Sequence, residues 1–130
     1  MTDQFCEDII LTTKRLRCDF IQNGEEKALR FVGIIVAEDK PALRAVYTCI
    51  GELSGGCTLD FTDVLMFDAT LYSLLLWVRL TRERRGTNFA VVAREATEQR
   101  LRLAGITKWL PIFRDFASAR AELFTHRTTN

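Results

Sequence analysis

From Leu16 to Gln22 apolar and polar residues alternate (LRCDFIQN), the period of a strand with one face buried. NGEE supplies turn chemistry, and ALRFVGIIVAE reads as a second strand, apolar enough to be central, with Gly33 inside it. The two predict a hairpin. The period then changes. Leu43, Val46, Tyr47 and Ile50 recur at helical spacing and predict a helix from Lys40 to about Leu53. Asp39 is positioned to cap it, with Pro41 in its tolerant first turn. SGG ends it. CTLDF follows as a strand, parallel to an earlier one because a helix separates them.

The stretch TLDFTDVLMFDATLYSLLLWVRL reads as that strand, a short loop with one Asp, and an abrupt helix. Asp68 is the expected N-cap. Leu71, Leu74, Leu75 and Val78 mark one face, while Leu76, Trp77 and Leu80 widen it. A helix apolar over so much of its circumference is expected to be buried on several sides. Gly86 is its stop. NFAVVA is a β-branched strand, REATEQRLRLAG a shorter amphipathic helix closed by Gly105, and ITKWLPIF a short extended segment. Asp115 then caps a last helix with Phe116, Ala119 and Leu123 facing inward. Residues 1–14 fit an extra strand, a helical turn or a loose segment, and are set apart as an N-terminal extension.

The predicted order is ββαβαβα(β)α: an α/β domain with a small mixed sheet of four to five strands and about four helices. At 130 residues there is room for one domain, expected over 15–126 with a tail at 127–130. No internal repeat appears. Apolar residues make up 48% and charged residues 27%, a globular balance. A net charge of +1 argues against a protein that coats nucleic acid or an acidic membrane, and RLTRERR reads as a solvated helix end with cations at the negative pole. The N-terminus MTDQFCEDII carries acids where a signal peptide carries positive charge, and LYSLLLWV is far too short to span a bilayer, so a cytoplasmic location is expected.

The available chemistry is thin. Cys6, Cys18, Cys49 and Cys57 form no C-x-x-C pair, and the one His, His126, lies near the tail; buried reduced thiols and no metal site are expected. A nucleophile–His site lacks a His in the domain core. Phosphate-binding glycine loops are missing, and LSGGC leads into a strand, not a helix. Asp60, Asp63 and Asp68 would have to converge in a cleft to act as acid and base, and nothing implies one. A phosphoacceptor receiver domain would need an acidic pair after a first strand that leads into a helix. Here the chain opens with a hairpin. Neither an enzyme nor a cofactor is expected.

At LDFTDVLMFDATLYSLLL the chain resembles the STAS domain, the fold of bacterial anti-sigma-factor antagonists, whose pattern is a strand ending in DLS and then (M/V)DSSGL opening a helix. GIIVAEDKPAL resembles that family's GELD turn, with Gly33, Pro41 and Leu43 in matching places; RRGTNFAVVA, LRLAGITKWLPIF and DFASARAEL resemble its later segments. The likeness covers roughly 16–124.

The resemblance implies a non-enzymatic interaction module that docks a protein kinase acting also as an anti-sigma factor. In such proteins the Ser after the Asp is phosphorylated to break the complex. The implied partner-binding residues are Asp68, Ala69, Thr70, Leu71, Tyr72 and Asp39. Other members build stressosome scaffolds or serve lipid and anion transport complexes, and a homodimer is compatible with the pattern. No nucleic acid and no membrane span are implied. This sequence departs from the pattern at the switch: Ala69 stands where the hydroxyl belongs, Leu71 where Gly belongs, and Val36 where the acid of GELD belongs. Ala69 cannot take phosphate. Thr70, one residue late, is the candidate phosphorylation site, with Ser73 a further turn in; a one-residue shift turns a side chain by about 100°. The expectation is that the first turn after Phe67 lies uncovered for a partner.

Overall fold

The computed structural model describes residues 5–128. The elements are β1 (Phe5–Thr12), β2 (Leu16–Asn23), β3 (Glu26–Ile35), a 3-10 turn (Ala37–Asp39), α1 (Lys40–Glu52), β4 (Gly56–Phe67), α2 (Ala69–Arg85), β5 (Asn88–Val92), α3 (Glu95–Leu103), a second 3-10 turn (Ile106–Lys108), β6 (Ile112–Phe113) and α4 (Phe116–Thr128). The sheet has six strands in chain order, antiparallel from β1 to β3 and parallel from β3 to β6. The parallel pairing across α1 is as expected, and the short extended segment is β6.

The strand count exceeds the expected four to five because residues 5–12 are not an extension. Phe5–Thr12 pairs antiparallel with β2, and Leu11 reaches the core, so the domain begins inside the segment set apart as 1–14. At the other end α4 runs to Thr128, beyond the expected boundary at 126. The side chains of Phe5 and His126, and residues 129–130, lie outside the described residues.

One face of the sheet carries the main core. Alternate residues of β2 to β5, among them Cys18, Phe31, Leu59, Phe61 and Val91, meet Leu43, Val46 and Ile50 of α1, Leu71, Leu74 and Leu75 of α2, and Leu101 of α3. The opposite face is covered only at one side: Ala119 and Leu123 of α4 pack on Ala90 and Val92. Phe116, expected inward, is 41% exposed at the first turn of α4. Over β1–β3 that second face bears charge: Arg30 reaches Glu7 at 3.1 Å and Asp19 at 3.0 Å, and Arg17 reaches Asp19 at 2.8 Å. Asp19 is thereby fully buried yet paired twice, which offsets its lost hydration.

Two other expectations need correction. α2 is not enclosed: Leu76 is 52% and Leu80 45% exposed, because the helix lies in an outer layer and only one side touches the sheet. The loop expected before it does not exist. β4 continues to Phe67, so Asp60 and Asp63 both lie inside a strand. β5 pairs with β4 only as far as Asp60; beyond that point β3 alone pairs with it, through two register shifts. Gly33 makes the approach of β2 and β3 possible. It has φ +113, and a Cβ there would lie 2.0 Å from Arg15 O, the carbonyl that accepts the Ile34 N–H at 2.8 Å.

Candidate functional site

The junction between β4 and α2 lies at the C-terminal end of the parallel strands, the usual place for a site in an α/β sheet. Phe67 closes the strand opposite Ile35, and the Asp68 N–H extends the ladder by donating to Ile35 O at 3.1 Å. Asp68 then leaves the strand in extended conformation and caps α2, as the sequence predicted. Its Oδ1 accepts the Thr70 N–H at 2.8 Å. Its Oδ2 does something the sequence did not signal: it accepts the Ala37 N–H at 3.1 Å. One carboxylate thus ties the loop after β3 to the start of α2. The Thr70 side chain and N–H and the Ala37 N–H bond the ionised form and hold its pKa below the usual carboxylate range, with Lys40 adding a smaller attraction.

The predicted site residues are divided by this geometry. Ala69 is exposed, and Asp68 and Tyr72 are half-buried. Thr70 is 2% exposed and Leu71 is fully buried, so neither offers a direct grip. The α-helical turn points them at the core, and the Thr70 N–H is held by Asp68 Oδ1 at 2.8 Å. Phosphate transfer to Thr70 would require this turn to open. Ser73, one turn on, is exposed. Asp39 does not cap α1 as expected. It is 5% exposed and makes no cap bond; instead Arg15 grips its carboxylate from Nε and Nη2, each at 3.2 Å.

Residues the sequence did not single out complete the surface. Leu65 is 71% and Met66 61% exposed, because β4 outruns β5 and no helix covers this stretch. Arg100 lies over the Phe67 ring at 3.9 Å and reaches Phe67 O at 3.5 Å, while Tyr72 meets the same ring edge-on at 6.0 Å. The signal for Leu65 and Met66 was available in principle: consecutive apolar residues in a strand cannot all face one core.

The acids do not converge. Asp60 pairs in register with Arg30 and its Oδ1 accepts the Thr62 N–H at 2.9 Å; Asp63 is opposite Val32. Eight residues of strand separate Asp60 from Asp68, roughly 20 Å or more of extended chain. Clefts of about 270 Å³ lie elsewhere, one lined by Trp77, Arg84 and Arg85 and one by Arg82, Lys108 and Trp109. Among the described residues no group of three His, Cys, Asp or Glu could hold a metal, and no helix is long and apolar enough to cross a membrane.

This mixed sheet, with helices leaving the ends of its parallel strands, defines a class of α/β domain that solved structures share. An anti-sigma factor antagonist from Mycobacterium paratuberculosis superposes with TM-score 0.72 at 21% identity, covering 88% of this chain and 98% of that one. The anti-sigma factor antagonist SpoIIAA in its unphosphorylated form gives 0.57 at 12%, over 95% and 99%. An uncharacterised protein from Shewanella loihica PV-4 with a SpoIIAA-like fold gives 0.50 at 14%, over 95% and 96%. No protein-family model and no curated protein matches the sequence. The fold is the SpoIIAA-like, or STAS, fold, as the sequence resemblance implied.

Proposed function

We propose that the chain is a non-enzymatic protein-binding module that acts as anti-sigma-factor antagonists do. It docks a regulatory kinase or anti-sigma factor in the cytoplasm through the junction of β4 and α2. The observation that carries this reading is the combination of rigidity and exposure at one point. Asp68 ties the turn after β3 to the start of α2, and beside it Leu65, Met66 and Ala69 stand in solvent. A preorganised apolar surface binds without first losing loop entropy. The solved anti-sigma factor antagonists that share the fold support the class of partner. In this reading Asp68 and Ala69 line the contact and Tyr72 borders it. Thr70, Leu71 and Asp39 support it from beneath.

The test is affinity purification from the native cell with the wild-type chain, Ala69→Asp and Met66→Glu. The expected result is recovery of an ATP-binding kinase or anti-sigma factor with the wild type and its loss with both variants, each still folded by circular dichroism. Undiminished recovery with both variants would sink the reading.

A second reading keeps a phosphate switch. Ser73 favours it as the exposed hydroxyl nearest the helix start, ahead of the buried Thr70. Intact-mass analysis after incubation with the recovered kinase decides between them: one added phosphate abolished by Ser73→Ala supports a switch there. No added mass supports a phosphorylation-independent module of the stressosome or transport-complex kind.

A further inference from the structure

α2 exposes a narrow ridge that widens from Arg79 on. Ala69, Ser73, Leu76 and Leu80 follow the spacing i, i+4, i+7, i+11 and are all exposed, while the opposite side of the same helix is core. Leu76 and Leu80 stand on successive turns where a solvent face would ordinarily be polar.

The flanks of this ridge are cationic. On one side α1 runs alongside, since Trp77 Nε1 donates to Tyr47 O at 2.9 Å and the two rings meet edge-on at 5.9 Å. Lys40 and Arg44 lie exposed on that side of α1, about two turns and one turn before Tyr47. On the other side Arg79 stacks on Trp109 at 5.3 Å and Arg100 on Phe67 at 3.9 Å. Arg84 closes the far end. The acid on the ridge, Glu83, is already paired with Arg79 at 3.2 Å. Arg44 and Arg84 have no ion pair or hydrogen bond among the described residues. A chain of net charge +1 therefore carries five cations along the flanks of this ridge, against the acids Glu38, Asp68 and Glu83 on the same face.

We infer that this face receives an acidic amphipathic helix of a protein partner, its apolar stripe against Leu76 and Leu80 and its carboxylates against the cations on both flanks. A second copy of this chain would set cations against cations. Binding to an anionic bilayer is the competing outcome, read by phosphatidylglycerol vesicles. The inference rests on the reading of the chain as a protein-binding module, but on residues other than Leu65 and Met66.

The probe is a synthetic peptide of about 18 residues, some five turns, with Leu at helical spacing and Glu on both flanks; the control carries Lys for every Glu. Fluorescence anisotropy with the full chain should show binding of the Glu peptide alone. Affinity should fall at least about tenfold in the double variant Leu76→Ser/Leu80→Ser, in Arg44→Ser/Arg84→Ser, and on raising salt from about 50 to about 500 mM. Met66→Ser, which adds no charge beside Arg100, should leave peptide affinity within about twofold, so this inference and the junction reading fail separately. Thermal melts establish that each variant is folded. Equal binding of the two peptides, or no loss in the leucine variant, overturns the inference. So does a dimer, or binding to phosphatidylglycerol vesicles, that the leucine variant abolishes.

Discussion

The carboxylate of Asp68 accepts the backbone N–H of Ala37 at 3.1 Å, joining the start of α2 to the turn after β3, 31 residues away in the chain. The same group caps α2 through Thr70. The exposed junction is therefore built on a fixed support, and several consequences can be measured.

Asp68 and Asp19, with Glu98 held down by Arg114, contribute to the acid limb of stability. Burial pushes the Asp19 carboxyl up, but bonds from Arg17 and Arg30 outweigh it and the net direction is down; Asp68 is held down by Thr70 and Ala37. A folded pKa below the unfolded value of 3.8 means the unfolded state binds protons first. The stabilisation is complete well above pH 3.8 and is lost as pH falls through the folded values. Urea midpoints should be level from neutral pH down to about pH 5 and fall below about pH 4. In the double variant Asp19→Asn/Asp68→Asn the midpoint should be lower at neutral pH and the fall shallower.

Thr70→Val should cost about 1 kcal/mol, the worth of a buried hydroxyl bond, and should raise the Asp68 pKa. Urea unfolding and a carboxylate titration by NMR read the two effects. An unchanged pKa would mean that the hydroxyl does not serve Asp68.

Leu74 and Leu76 are two residues apart on α2 and should respond oppositely. Leu74 is fully buried, so Leu74→Ala should cost about 3 kcal/mol. Leu76→Ala should fall within about 0.5 kcal/mol of wild type. Similar losses at both positions would mean that the orientation of the helix is wrong.

Gly33→Ala places a methyl group 2.0 Å from Arg15 O at a backbone angle of φ +113. A shift of β2 against β3 must follow, with a loss of about 3 kcal/mol or more. Thermal melting measures it.

The thiols should separate by access. Burial raises the pKa of Cys18 and Cys57 far above the ordinary range, and that of Cys49 less; Cys6 is exposed, with its pKa raised by Asp8. A disulfide reagent should label Cys6 first in the native protein, and Cys18 and Cys57 only on unfolding. Fast native labelling of either buried thiol would contradict the packing.

The sequence by itself determined the elements and their order from β2 onward. The alternation of LRCDFIQN, the 3.6-residue period of α1, the caps Asp68 and Asp115 and the stop at Gly86 are local features. Local hydrogen bonding and burial period leave a mark in adjacent residues. The resemblance carried by LDFTDVLMFDAT pointed to the fold for the same reason. Only the tertiary structure decided what each residue faces. Asp39 looks like a cap until Arg15, from a loop 24 residues earlier, takes its carboxylate. Residues 5–12 have no clear period and become a strand because β2 offers an unpaired edge. Leu76 and Leu80 look like core until α2 is seen in an outer layer. Thr70 looks available until its turn closes on Asp68. Each of these depends on a neighbour distant in the chain, and burial and charge pairing across such distances are settled by packing and not by propensity.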